Sequence, residues 1–162
     1  MKVLLSFLLA LAVTLRAEPV GSATSAAVAN GSVIGMSEPQ VRAKYGPPVG
    51  ENLKPLDKIS DKVVMFEKGD IRIIVAFKSG RVWSVGYLRN KGRLEKDEML
   101  QLLRNHGGPW TEHYDARIKV TWWSCGANEM VARDEGASGL VINAQSYLIA
   151  NRARVKSDLE GL

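Results

Sequence analysis

Apolar and polar positions along this chain follow two rhythms, and each change of rhythm marks an element. Met36-Ser37-Glu38-Pro39-Gln40-Val41 opens the first helix. Ser37 suits the N-cap, Gln40 the third helical position, and Met36 and Val41 the two staple positions. Pro39 is tolerated in the first turn, where N–H groups lack partners anyway. Val41 and Tyr45 share a face, and Gly46-Pro47-Pro48 stops the helix after two to three turns. Gly50 to Asp61 reads as a polar connection. The rhythm then changes to two. Val63 to Phe66, Ile71 to Lys78 and Val82 to Arg89 are predicted strands, separated by Glu67 to Asp70 and by Ser79-Gly80. In the third, Trp83, Val85 and Tyr87 are expected on one face. Such short turns between successive strands make an antiparallel meander.

After Asn90 to Arg93 the helical period returns. Met99, Leu102, Leu103 and His106 follow the i, i+3, i+4, i+7 rule from about Asp97, and Gly107-Gly108-Pro109 ends the run. Glu95, Asp97 and Glu98 complement the positive end of the helix dipole. Ile118 to Ser124, Glu129 to Arg133 and Leu140 to Leu148 are predicted strands. Gly46-Pro47 and Gly108-Pro109 recur about sixty positions apart, as do Tyr87-Leu88 and Tyr147-Leu148. The expected fold is therefore α+β: two tandem units, each a short helix followed by a three-stranded antiparallel meander. The first covers residues 36–90 and the second 91–150, with a loose charged tail at 151–162. Leu148, Arg152, Val155 and Leu159 are spaced to extend a weak helix into that tail.

The opening Gly35-Met36-Ser37-Glu38-Pro39-Gln40-Val41, the stop Gly46-Pro47-Pro48 and the hairpin Phe77-Lys78-Ser79-Gly80-Arg81-Val82 together resemble the SmpA/OmlA unit. That unit is known from the small lipoprotein of the outer-membrane β-barrel assembly machinery. The doubled arrangement is similar to the β-lactamase-inhibitor-protein-like fold, in which two such units stand in tandem. The resemblance covers residues 35–89 well and 94–148 loosely, because the second unit lacks the Met-Ser-x-x-Gln-Val opening. It implies a secreted or periplasmic module that binds other macromolecules. Inhibition of a β-lactamase is not implied, since no inhibitory contact residue matches by position. The lipidated cysteine of the lipoprotein members has no counterpart here.

The N-terminus adds a compartment. Lys2 and the apolar run Val3 to Val13 read as a signal peptide over residues 1–17, cleaved after Ala17. The run is shorter than the roughly 20 residues a span needs. Glu18 to Gly35, rich in Ala, Ser, Gly and Thr, reads as a flexible linker. The expected location is periplasmic or secreted. Removing residues 1–17 takes Lys2 and Arg16, leaving 20 basic and 17 acidic side chains and a net charge of +3. That mild excess does not argue for nucleic acid, although Arg72, Lys78, Arg81, Arg89, Lys91 and Arg93 cluster near the first hairpin and hinge. A polar sheet face or a peripheral contact with an anionic envelope surface suits them better. The single cysteine, Cys125, permits no internal disulfide, so packing must hold the fold.

Little in the chain points to catalysis. Cys125 with His106 or His113 is the only thiol–imidazole combination available, and no nucleophile motif surrounds it. His113 and Asp115 read as a solvated loop pair. Residues 106, 113 and 125 lack a zinc spacing, Asp134-Glu135 falls short of a calcium loop, and no glycine-rich phosphate loop is present. No cofactor or metal is expected. The aromatic residues carry more. Trp122 and Trp123 are adjacent on one predicted strand and so point to opposite faces. If helices cover one face, the other ring needs another cover or a partner. The leading expectation is an exported, non-enzymatic binding module of the envelope or secreted space. It contacts a protein partner through Trp83, Tyr87, Trp122 and Trp123. The alternatives are a small thiol-dependent hydrolase using Cys125 with a histidine, and a structural spacer without ligand.

Overall fold

A computed structural model describes residues 31–55 and 58–160. The signal peptide expected at 1–17 and most of the linker, 18–30, lie outside the described residues. The described chain is α+β, with three helices and one eight-stranded antiparallel sheet. In order come α1 (Glu38–Tyr45), β1 (Gly50–Leu53), β2 (Lys62–Lys68), β3 (Ile71–Lys78), β4 (Arg81–Arg89), α2 (Lys96–Arg104), β5 (Thr111–Asp115), β6 (Val120–Cys125), β7 (Met130–Asp134), β8 (Leu140–Ala144) and α3 (Gln145–Glu160). The strand order across the sheet is β1-β2-β3-β4-β8-β7-β6-β5.

Both first helices start as their sequences direct. Gln40 Oε1 accepts the Ser37 N–H (2.8 Å), and Glu98 Oε2 accepts the Glu95 N–H (2.8 Å). Each long side chain thereby satisfies a backbone donor at the helix start. Gly46 ends α1 with a φ of 85°, a value only glycine adopts without strain.

The sheet corrects the sequence reading in four places. The strands form one continuous sheet rather than separate three-stranded meanders, because β4 pairs with β8. β1 and β5, the two edges, lie where no strand was expected. An edge strand is solvated on both sides, so it loses the alternation that reveals an inner one; six of the nine residues of β1 and β5 are exposed. The run Leu140 to Leu148 breaks at Ala144, and Tyr147-Leu148 belongs to α3. The two Tyr-Leu pairs are therefore not equivalent positions. Residues 151–160 continue α3, in line with the helical spacing into the tail rather than with a loose end, and α3 packs Tyr147 and Ala150 against the core.

The fourth correction concerns the linker. Ser32, Val33, Ile34 and Gly35 are buried, and Gly35 N–H donates to Val82 C=O (2.7 Å) while Val82 N–H donates to Met36 C=O (2.9 Å). Small residues with two aliphatics resemble a linker in composition, yet here they extend the edge of β4 where β8 does not reach.

Cross-strand register sorts the sheet into two faces. Val64, Phe66, Ile73, Val75, Val85, Tyr87, Ile142, Leu140, Ala132 and Trp123 occupy one, and all are buried. Tyr45 of α1 packs on Phe66, and His106 at the end of α2 packs on Tyr87, so α1 and α2 cover this face. The other face carries the row Met65, Ile74, Gly86, Val141, Arg133, Trp122 and His113. Apart from Gly86 these residues are half-buried or exposed.

Two substitutions test this architecture. Ile34→Ala should cost about 2–5 kcal/mol in urea unfolding, the range for emptying a buried aliphatic site; a surface linker would lose almost nothing. A side chain at Gly139 (φ 83°) would run into the Tyr87 carbonyl beside the β4–β8 seam. Gly139→Ala should therefore destabilise by more than about 3 kcal/mol, combining steric overlap with backbone strain, read as a lowered thermal midpoint.

Candidate functional site

The four aromatic residues expected at a contact surface separate on folding. Tyr87 is 4% exposed, Trp123 2% and Trp83 9%; only Trp122 is half-buried. Three of the four thus have no free ring face to offer a partner. Trp83 and Tyr87 were expected to share a face, but a bulge intervenes. Phe77 pairs with Val82 and Ala76 with Ser84, which leaves Trp83 without a partner across the ladder. Its indole N–H donates to Ser60 Oγ (2.9 Å), and its ring meets Tyr147 edge-on and lies under the Lys78 ammonium.

Trp122 and Trp123 do point to opposite faces. Trp123 lies on the helix-covered side, its indole N–H near Glu112 Oε2 (3.3 Å), whose other oxygen accepts from Lys96 Nζ (2.7 Å). Two clefts flank it: one of about 430 Å³ bounded by Arg93, Lys96, Met99, Thr121 and Asp134, the other of about 290 Å³ against Leu100, Leu103, Pro109 and Trp110. Trp122 stacks on His113 of β5, with ring centres 3.9 Å apart and planes 16° from parallel. His113 Nε2 is 2.9 Å from Ser124 Oγ, which holds the imidazole in that orientation. Arg133, directly opposite Trp122 on β7, is exposed. Half-exposed Trp beside exposed Arg is a common make-up of an interface hot spot.

Beneath the other face runs a buried polar chain that sequence reasoning missed. Ser32 Oγ is 2.9 Å from His106 Nδ1, His106 Nε2 is 2.7 Å from Tyr87 OH, and Tyr87 OH is 3.0 Å from Tyr45 OH. Ser32 Oγ also accepts the Ile34 N–H (3.1 Å) and approaches Met130 Sδ (3.4 Å). Every group is satisfied when Tyr45 donates to Tyr87, Tyr87 to His106 Nε2, and His106 Nδ1–H to Ser32. The chain links the segment before α1, both helices and both halves of the sheet. Only the apolar placement of His106 hinted at it; its partners are 19 and 74 positions away.

Burial, with a smaller contribution from the Lys44 ammonium, pushes the His106 imidazole down to about 3. Burial likewise raises the Tyr87 phenol well above its usual value. No carboxylate stands in the chain to stabilise an imidazolium, so His106 is neutral throughout the physiological range. As a serine–histidine–tyrosine relay it lacks access: Ser32 and Tyr87 are buried, and neither cleft includes them.

The thiol of Cys125 is enclosed, and the hydrogen bonds and ring contacts of both histidines go to other groups. Cys125 is 1% exposed, His106 is engaged with Ser32 and Tyr87, and His113 with Ser124 and Trp122. Asp115 accepts from Arg117 rather than pairing with His113. Among the described residues no three of His, Cys, Asp and Glu converge as metal ligands, and no helix is long and apolar enough to cross a membrane. No known family, characterised protein or solved structure matches the chain.

The neutral buried histidine gives a pH signature. The unfolded chain takes up a proton near pH 6.5 that the folded one refuses until about pH 3. Stability is therefore full above pH 6.5 and falls as pH drops, by about 1.4 kcal/mol per unit, or roughly 3 kcal/mol by pH 4.5. Between pH 6.5 and 5 this decline precedes the titration of ordinary carboxylates. His106→Asn should remove the slope in that window, measured by urea midpoints at each pH.

Proposed function

We propose that this protein is an exported, non-enzymatic binding module of the cell envelope or secreted space that contacts a protein partner through its open sheet face. The observation carrying this reading is the stacked Trp122–His113 pair, half-exposed beside Arg133 on the face that α1 and α2 leave uncovered. Partner residues would bury Trp122 within a rim formed by Arg133, Ser124 and Thr111. Met65, Ile74 and Val141 continue the apolar row inward, with Gly86 between the last two as a flat place without a side chain. Of the expected contact residues, Trp122 is retained; Trp83, Tyr87 and Trp123 serve the core.

Export rests on the apolar N-terminal run with Lys2 before it. The tandem reading and the resemblance to the SmpA/OmlA unit belong to the same proposal. Their support is the strand order, in which each half is a helix followed by four strands and the last strands of the two halves meet. The partner is an envelope or secreted protein rather than nucleic acid, since the net charge is modest.

Crosslinking in the native envelope, with a photoreactive residue at position 133, should trap a discrete partner. Trp122→Ala should lower the yield at least about tenfold, as for a hot-spot aromatic, with a thermal midpoint close to that of the parent. Trp123→Ala should instead cost roughly 3–5 kcal/mol of stability. Cys125→Ser should leave capture unchanged. Absence of any adduct from position 133 would remove the open-face reading, and a hydrolytic activity lost in Cys125→Ser would favour the thiol enzyme.

A further inference from the structure

We propose that β5 receives an extended segment of the partner protein as a ninth strand, with one apolar side chain of that segment in the cleft beside Trp110 and an acidic one at Arg104. This rests on the reading of the chain as a protein-binding module and specifies how it binds.

The two edges of the sheet are not alike. β1 has four residues, its register with β2 shifts between Gly50 and Leu53, and Asn52 adopts a left-handed φ of 52°. Such irregularity spoils an edge for further pairing. β5 pairs with β6 in unbroken register over all five residues, from Thr111–Ser124 to Asp115–Val120. It contains no proline, glycine or bulge, and among the described residues no strand pairs with its outer side. A straight, unblocked edge presents a regular row of backbone donors and acceptors, the template that strand addition uses.

The surroundings supply selectivity. Side chains of an added strand would fall alternately on the two sides of the sheet. On the helix side lies the cleft of about 290 Å³ between α2, the Gly107–Trp110 turn and β5. Its apolar lining is Leu100, Leu103, Pro109, Trp110 and Trp123, and it has room for one large aliphatic or aromatic side chain. Trp110 is fixed there, its indole N–H donating to the Leu103 and Gly107 carbonyls (2.9 and 2.8 Å). Glu112 is already engaged by Lys96 and Trp123. Arg104, at the rim, is exposed, bonds only Gln101 (3.3 Å) and makes no ion pair among the described residues. The uncompensated charge at this cleft is thus positive, which selects an acidic side chain. On the open side the added strand would run beside His113, stacked on Trp122. One extended peptide would therefore engage the edge backbone, the cleft and the exposed aromatic pair together.

The test pans a library of random decapeptides against the full chain, then measures synthetic copies of the enriched peptides by hydrogen exchange and binding. Enriched peptides should alternate apolar and polar residues with an acidic one, and should slow exchange at residues 111–115. N-methylation of alternate peptide residues should abolish binding in one of the two possible sets and spare it in the other, because only one set of amides faces β5. Arg104→Glu should weaken acid-bearing peptides by about tenfold, the scale of one charge-assisted contact. Failure to enrich any peptide overturns the proposal. Protection confined to Met65, Ile74 and Val141 also overturns it, while leaving the open-face reading standing. Concentration-dependent protection of 111–115 without peptide would assign the edge to a second copy of this chain and equally refute strand addition by a partner. The crosslinking at position 133 tests the open-face reading separately.

Discussion

Four cross-strand pairs between β4 and β8 hold this structure together: Ser84–Asn143, Val85–Ile142, Gly86–Val141 and Tyr87–Leu140. Without them the two groups of four strands would each present a long inner edge, and neither would enclose a full core. The seam sits in the middle of the sheet, six of its eight residues are buried, and Gly139 lets the chain turn into β8 directly against the Tyr87 carbonyl. Tyr87 then extends this junction upward. Its hydroxyl joins His106 of the second half and Tyr45 of the first, and Ser32 closes the chain from the segment before α1. A satisfied polar chain in a low-dielectric interior favours one arrangement of its members, because breaking any link strands a buried group. The seam fixes the sheet, and the hydroxyl–imidazole chain fixes how the helices sit on it.

That division of labour determines which surface is left for function. With α1 and α2 committed to one face, the aromatic residues of that face become core. α3 adds cover over Trp83 through Tyr147. Among the described residues no helix encloses the outer half of the other face, from Val141 to His113, and Trp122 stays half-exposed there. Trp122 and Trp123 are neighbours in sequence, yet a strand's period of two gives them opposite roles. One seals the interior, and the other is available to a partner. The same outer strands form the one regular edge, so the proposed contacts concentrate in the half of the molecule built from β5 to β8.

Ion pairs around this frame are mostly at the surface and contribute modestly. Glu38 is the best supported, held by Lys62 and Arg42, which keep its carboxyl below the usual range. Arg89 bridges Asp70 and Glu98, tying the β2–β3 turn to α2. These pairs orient helices on the sheet; the apolar core and the seam supply the bulk of the stabilisation.

The inner strands and the first two helices were legible because each signal is local. A capping residue, a glycine stop or an alternation of two is set by neighbours within a few positions. The opposition of Trp122 and Trp123 followed from the same geometry, and so did the apolar placement of His106. Edge strands were illegible, since solvent on both sides removes the pattern that burial imposes. The bulge at Trp83 was hidden for a related reason: it is a property of the pairing with β3, not of the β4 sequence. Residues 31–35 looked like linker because nothing local distinguishes a small-residue loop from a small-residue strand until a partner edge is offered. The sequence by itself determined the local elements, the α+β class and the absence of an internal disulfide. Only the tertiary structure decided that the strands share one sheet, which of two adjacent tryptophans faces outward, and which histidine lies in a buried chain. Those outcomes depend on contacts between residues tens of positions apart, and no short-range pattern encodes them.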